Sequence, residues 1–109
     1  MFILANYGHD YRQHVRIGDT LRMLARYPED GTWSCTVSIL TALGATPTDT
    51  QVLSAYTGNR VQGRKWDLSA DYDTSGLTAN TTYIASAQLT NGSKTVETNQ
   101  SFRVLPQGA

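Results

Sequence analysis

Three groups of side chains in this 109-residue sequence have types and spacings that invite chemistry. His9 and His14 are the only histidines, and Asp10 lies between them. Imidazole and carboxylate suit Zn or Ni. No close His-x-His pair and no second ligand cluster accompanies them, so two surface or interface histidines is the plainer reading, and no metal or cofactor is expected. Asp67, Asp71 and Asp73 are the densest carboxylates. On a short strand Asp71 and Asp73 share a face. Such a pair could take Ca²⁺ through oxygen ligands or divide acid and base roles as in sugar hydrolysis. The calcium-loop pattern D-x-[DN]-x-[DN]-G is absent, and a solvated polar turn accounts for the group. Arg60, Arg64 and Lys65 sit beside Trp66. They could meet phosphates or a carbohydrate, with Trp66 as platform. Arginine and aromatic residues are also enriched where proteins dock, and an assembly interface is the expectation for these four.

The familiar catalytic patterns are missing. Neither histidine forms a believable triad, and no serine sits in a G-x-S-x-G elbow. No glycine-rich loop follows a strand and opens a helix, so nucleotide binding is unsupported. No catalytic residue is assigned, and a non-enzymatic protein is expected. Cys35 is the single cysteine, which excludes an intrachain disulfide and a multi-cysteine zinc site. It lies in an alternating apolar segment and reads as a buried, inert thiol.

Nine basic residues offset nine acidic ones, giving a formal net charge of zero. A non-specific nucleic-acid binder needs a positive field, so nucleic acid is not the expected partner. No basic leader precedes a long apolar run, and Phe2-Ile3-Leu4-Ala5 is far too short to span a bilayer, so neither a signal peptide nor a membrane partner is expected.

The elements that position these groups read as strands. Glutamate occurs only at 29 and 97 and lysine only at 65 and 94, whereas helix surfaces are built largely from those residues. The clearest stretch is 77–105. Tyr83, Ala85, Ala87 and Leu89 fall on one face at a period of two. Asn91-Gly92 signals a tight primed turn with positive φ at both central residues. The chain returns through Val96 to Phe102 and Val104, and Pro106 ends the ladder for want of an N–H. A second firm strand, 32–41, sets Trp33, Cys35, Val37 and Ile39 on one face. Residues 20–27 alternate until Leu24, which is expected under a loop or at an interface. Residues 50–56 read as one weaker strand, 60–66 as a strand or an irregular excursion, and 67–73 as a short strand with its turn. The core list is Trp33, Cys35, Val37, Ile39, Leu77, Tyr83, Phe102 and Val104.

Six to eight strands with little helix, and no βαβ alternation, point to an all-β fold. A two-sheet antiparallel β-sandwich is the economical form, with an open barrel as alternative. The domain is placed at 14–109. Residues 1–13 are either an arm packing on a neighbouring subunit or an intrachain edge strand. As an arm they would use Phe2, Ile3, Leu4, Tyr7 and Tyr11 as contacts.

The stretch Leu77-Thr78-Ala79-Asn80-Thr81-Thr82-Tyr83 resembles the turn into the penultimate strand of fibronectin type III and immunoglobulin-like domains. Leu77 and Tyr83 match the family's apolar and aromatic positions, while Ala79 and Asn80 replace its usual Pro and Gly. Trp33 is similar to the tryptophan of an early core strand. The resemblance implies a tyrosine corner, with ring in the core and hydroxyl on backbone outside the strand. A looser likeness runs through Ile17-Gly18-Asp19-Thr20-Leu21, Asn80-Thr81-Thr82-Tyr83, Asn91-Gly92-Ser93 and Phe102-Arg103-Val104. This order resembles small modules of tailed-bacteriophage structural proteins. It implies a virion component made in the host cytoplasm: a capsid-decoration, head-to-tail or tail-associated protein. Its partners would be other virion subunits, in a symmetric homo-oligomer or a capsid or tail. The alternative is a carbohydrate- or receptor-binding module using exposed Tyr56, Trp66 and Tyr72.

Overall fold

The computed structural model describes residues 2–6, 14–61 and 63–106. Period-two alternation governs their arrangement. In β4 (Ser34–Leu40) Cys35, Val37 and Ile39 are buried, while of the alternate residues Ser34 and Thr36 are exposed and Ser38 is half-buried. In β8 (Thr81–Thr90) Tyr83, Ala85, Ala87 and Leu89 are buried on the matching face. A strand whose apolar residues all point one way must cover that face with a second layer.

Among the described residues nine strands supply the two layers, one more than the upper sequence-based count. Besides β4 and β8 they are β1 (Phe2–Asn6), β2 (His14–Arg16), β3 (Thr20–Ala25), β5 (Asp49–Val52), β6 (Ser54–Ala55), β7 (Leu68–Asp73) and β9 (Thr95–Leu105). The first sheet runs β1-β3-β7-β6 and the second β2-β9-β8-β4-β5. A single 3-10 turn, Thr74–Gly76, is the one helical element among the described residues. The chain is an all-β fold of two sheets curled into an open half-barrel arrangement. One core joins them, with Phe2, Leu4, Leu21, Met23 and Tyr72 from the first sheet meeting Val15, Trp33, Val37, Ile39, Phe102 and Val104 from the second side.

The expected all-antiparallel pairing needs one correction. β2 pairs in parallel with β9, His14 opposite Arg103 and Arg16 opposite Leu105, so the second sheet is mixed. The chain leaves β1 at the edge of the first sheet and re-enters at the edge of the second, beside the last strand. A sequence pattern reports which face is apolar, and both directions of pairing satisfy it equally.

Residues 50–56 are likewise two strands. β5 pairs with β4 in one sheet, β6 pairs with β7 in the other, and Leu53 between them is buried in the shared core. Leu53 also donates its N–H to the Cys35 carbonyl at 3.0 Å, which fixes where the chain crosses.

The Asn91-Gly92 hairpin forms, but with four loop residues. Thr90 pairs with Thr95, Gly92 alone in the loop has positive φ, and the Asn91 side-chain oxygen accepts from the N–H groups of Ser93 and Lys94. Asn91 therefore contributes through its side chain, as Asx turns do.

The corner before β8 is built as expected. The Tyr83 ring is buried and stacks on Phe102 with centroids 5.8 Å apart, while its hydroxyl accepts the Thr78 N–H at 2.9 Å. Asn80 has φ of 59°, the left-handed conformation that a glycine supplies at low cost and that Asn tolerates best among other residues. Its N–H donates to the Val104 carbonyl at 2.7 Å. Tyr83→Phe strips the acceptor from a part-buried N–H, so urea denaturation is expected to show a loss of about 1 kcal/mol; an unshifted midpoint would mean that the hydroxyl bond contributes nothing.

Candidate functional site

The residues singled out for chemistry occupy very different environments. Asp71 and Asp73 do share the exposed outer face of β7, as the alternation requires. Asp71 lies opposite Arg22 of β3, and the Arg22 Nε donates to it at 3.3 Å. Asp73 instead caps the 3-10 turn, accepting from the Ser75 N–H at 2.9 Å and the Ser75 hydroxyl at 2.6 Å. Those two donors hold its carboxyl below the ordinary carboxylate range. Asp67 acts as a staple. Its backbone N–H bonds the Ala25 carbonyl, its carbonyl accepts from the Tyr56 N–H, and its carboxylate accepts from the Tyr27 N–H at 2.7 Å. The three carboxylates thus have separate structural duties. Among the described residues no group of three or more His, Cys, Asp or Glu is placed to hold a metal ion. His14 is exposed on β2, while His9 and Asp10 lie outside the described residues.

The N-terminal contacts divide. Phe2 and Leu4 are buried in the intrachain core, and β1 pairs with β3 along its whole length. These two side chains are therefore core residues of an intrachain edge strand, one of the two alternatives for 1–13, and not contacts of an intersubunit arm. Ile3 lies in β1 opposite Leu24. Tyr7 and Tyr11 fall outside the described residues.

Trp66 also needs correction. Its side chain is 1% exposed and packs on Leu24, with Tyr56 and Val61 against the pair. The indole N–H donates to the Val61 carbonyl at 3.1 Å. Leu24 breaks the alternation of β3 because it points outward, away from the main core, into this second cluster. Residues 56–61 and 63–67 fold back over part of the outer face of the first sheet and cover Leu24. Within that segment Val61 and Arg64 bridge each other through paired backbone bonds of 3.0 and 3.1 Å, and Gly63 turns the chain at φ of 71°. Arg60, Arg64 and Lys65 stay exposed on the pinned loop. The sequence cluster is thus split by function: the indole anchors, and the cations face outward.

Beside this loop lies a cleft of about 480 Å³, with Arg22, Tyr56, Gly58, Arg60 and Ser69 among its lining residues. The Arg22 guanidinium stands over the Tyr56 ring, 5.7 Å from the centroid. The Tyr56 hydroxyl donates to the Asn59 carbonyl at 2.7 Å. The sequence carries no sign of this cleft, because its walls come from β3, β6, β7 and a loop that it does not visibly bring together.

Two further aromatic or thiol groups can be placed. Tyr72 is buried and donates its hydroxyl to Asp49 across the sheets at 3.0 Å; burial first, and then that bond, push its pKa up. It is not an exposed platform. Cys35 is buried between the sheets, and burial pushes its thiol up to about 11 from the ordinary 9.0. Thiolate is the reactive form, so this placement agrees with an inert side chain.

The class defined by these features is a two-sheet β module with a loop-covered outer face. No protein-family model matches the chain, and no curated protein sequence does. Among solved structures, the crystal structure of an engineered protein matches 95% of this chain at 19% identity with a TM-score of 0.51. The chain spans only 20% of that protein's length, and the likeness is one of fold.

Two outcomes are expected. Trp66→Ala empties the outer cluster and should cost about 3–5 kcal/mol in urea denaturation; a midpoint unchanged from the parent would contradict the burial of the indole. For Cys35 the folded pKa lies above the unfolded one. Its contribution is complete below pH 9 and is lost as pH rises toward 11. The denaturation midpoint should fall across that window, and Cys35→Ala should flatten the fall. Equal falls in both proteins would assign the effect to other groups.

Proposed function

We propose that the chain is an immunoglobulin-like β-sandwich that acts by docking in a larger assembly rather than by turnover. Strand order supports the fold assignment. Labelled by the immunoglobulin scheme, β1-β3-β7-β6 takes the places of strands A, B, E and D, and β9-β8-β4 those of G, F and C. A tyrosine near the start of strand F with its hydroxyl on upstream backbone, and a buried tryptophan at the start of strand C, are hallmarks of that group. The Tyr83 hydroxyl bonded to the Thr78 N–H, and a buried Trp33 immediately before β4, support this reading. Ala85, two residues after Tyr83, stands where antibody domains carry the second cysteine of their inter-sheet bridge.

The observation that carries the docking reading is the pinned basic loop. Trp66 and Leu24 fix residues 60–65 on the sheet, so Arg60, Arg64 and Lys65 are presented from a braced support. A partner that meets a loop already attached to the sheet is spared the cost of ordering that loop on binding. The setting we propose is a tailed-phage particle, as a decoration, head-to-tail or tail-associated subunit, on the strength of the sequence likeness described above. Repetition by symmetry would multiply each weak contact through effective concentration. The alternative, a carbohydrate- or receptor-binding module, is favoured by one feature, the partly exposed Tyr56 at a polar-lined cleft.

The test is charge reversal on the loop. Arg60→Glu, Arg64→Glu and Lys65→Glu together should leave the β-type circular dichroism intact and remove the protein from its native complex, as read by sedimentation and electron microscopy. Retention at the parent's stoichiometry would overturn the interface. Glycan-array binding by the parent that disappears in Tyr56→Ala would favour the alternative.

A further inference from the structure

We propose that the cleft walled by Arg22, Tyr56 and Arg60 is a binding site for a small oxyanion group, a phosphate or a carboxylate. The site stands on its own geometry and does not depend on the docking reading. Its volume of about 480 Å³ falls within the range of ligand pockets. The lining residues include two arginines, Arg22 and Arg60, with the polar residues Thr57, Asn59 and Ser69, and no carboxylate is among the lining residues described. Guanidinium is planar and meets carboxylate or phosphate oxygens with two parallel N–H donors. In a chain of zero net charge this concentration of cations is local.

Both arginines are held in place before any ligand arrives. Arg22 lies over the Tyr56 ring and is tied to Asp71 at 3.3 Å on the neighbouring strand. Asp71 tempers the field of Arg22 but does not line the cleft. Arg60 donates one N–H to the Gly63 carbonyl at 3.2 Å, which closes it onto its own loop. The wall itself depends on Gly58. A Cβ there would stand 2.6 Å from the Tyr56 hydroxyl oxygen and 2.7 Å from the ring carbon that bears it. Only a residue without a side chain lets the loop close over the ring and hand its Asn59 carbonyl to the hydroxyl. The aromatic wall, the stacked Arg22 and the loop that carries Arg60 are therefore one construction.

The experiment is a titration of the isotopically labelled protein with sodium phosphate in one arm and sodium glutarate in the other, at constant ionic strength in chloride and constant pH. Saturable shifts of the Arg22 and Arg60 side-chain N–H signals and of the Gly58 amide are expected in at least one arm. The arm that saturates at the lower concentration identifies phosphate or carboxylate as the preferred group. Arg60→Ala is exposed and should keep the fold while weakening binding about tenfold, the scale of one lost charge-assisted contact. Gly58→Ala should weaken it similarly by displacing Tyr56, and Arg103→Ala, on the other sheet, should bind as the parent does. Shifts that never saturate and spread equally to Arg16, Arg103 and Lys94 would overturn the proposal. So would unchanged binding by Arg60→Ala.

Discussion

The register between β4 and β8 sets large side chains against small ones, and the rest of the molecule is fitted to the surface they make. Val37 faces Ala87, Ile39 faces Ala85, and Cys35 faces Leu89. All six are buried. Alternating bulk on one face gives the opposite sheet hollows to fill, and protein interiors are packed too densely for those hollows to stay empty. Met23, Tyr72 and Phe2 come from that opposite sheet into the same core. The Tyr83–Phe102 stack closes one part of it, and the Trp33 indole, bonded to the Glu29 carbonyl at 3.2 Å, is also buried there.

A sheet needs only one apolar face to fold, yet the first sheet uses both. Leu24 points outward from β3, where a residue of that parity is normally polar, and Arg22 two positions earlier keeps that rule. Covering Leu24 requires a segment to come back over the sheet. Residues 56–67 do so with Trp66 as the anchor and Asp67 as the three-way staple. This arrangement turns what would be a mobile connection into a braced surface. It also creates the cleft, since a loop pinned at Trp66 and folded around Tyr56 leaves a hollow over Arg22 and Ser69.

Alternation made β3, β4, β8 and β9 legible, along with the whole core list of Trp33, Cys35, Val37, Ile39, Leu77, Tyr83, Phe102 and Val104, every one of which is buried. The corner at Tyr83 was implied by the resemblance of residues 77–83 to fibronectin type III domains, and it is local, joining residues five apart. What eluded the sequence depended on distant pairing. Nothing local in 50–56 marks Leu53 as a crossing between sheets, and nothing in His14 to Arg16 distinguishes a parallel from an antiparallel neighbour. Asp71 and Tyr72 lie in a stretch poor in apolar residues, yet β7 is an interior strand of its sheet, flanked by β3 and β6. The burial of Trp66 is hidden in the sequence for a related reason. Arginine and lysine beside a tryptophan look like an exposed patch, and only the long-range contact with Leu24 separates the anchor from the cations it carries. Of the cleft residues, Arg60 and Tyr56 carry sequence signals for other roles, while Gly58 carries none beyond that of a turn.

The parallel pairing of β2 with β9 has a mechanical meaning. Parallel neighbours entered from one side and left from the other are dragged past each other when their flanking chain is stretched. The ladder from His14 to Arg16, extended by the bond from the Ile17 N–H to the Leu105 carbonyl, would then be loaded in shear. Bonds in shear bear tension together, whereas a hairpin opened from its end yields them singly. Forced unfolding is governed by the rate of crossing such a barrier rather than by equilibrium stability.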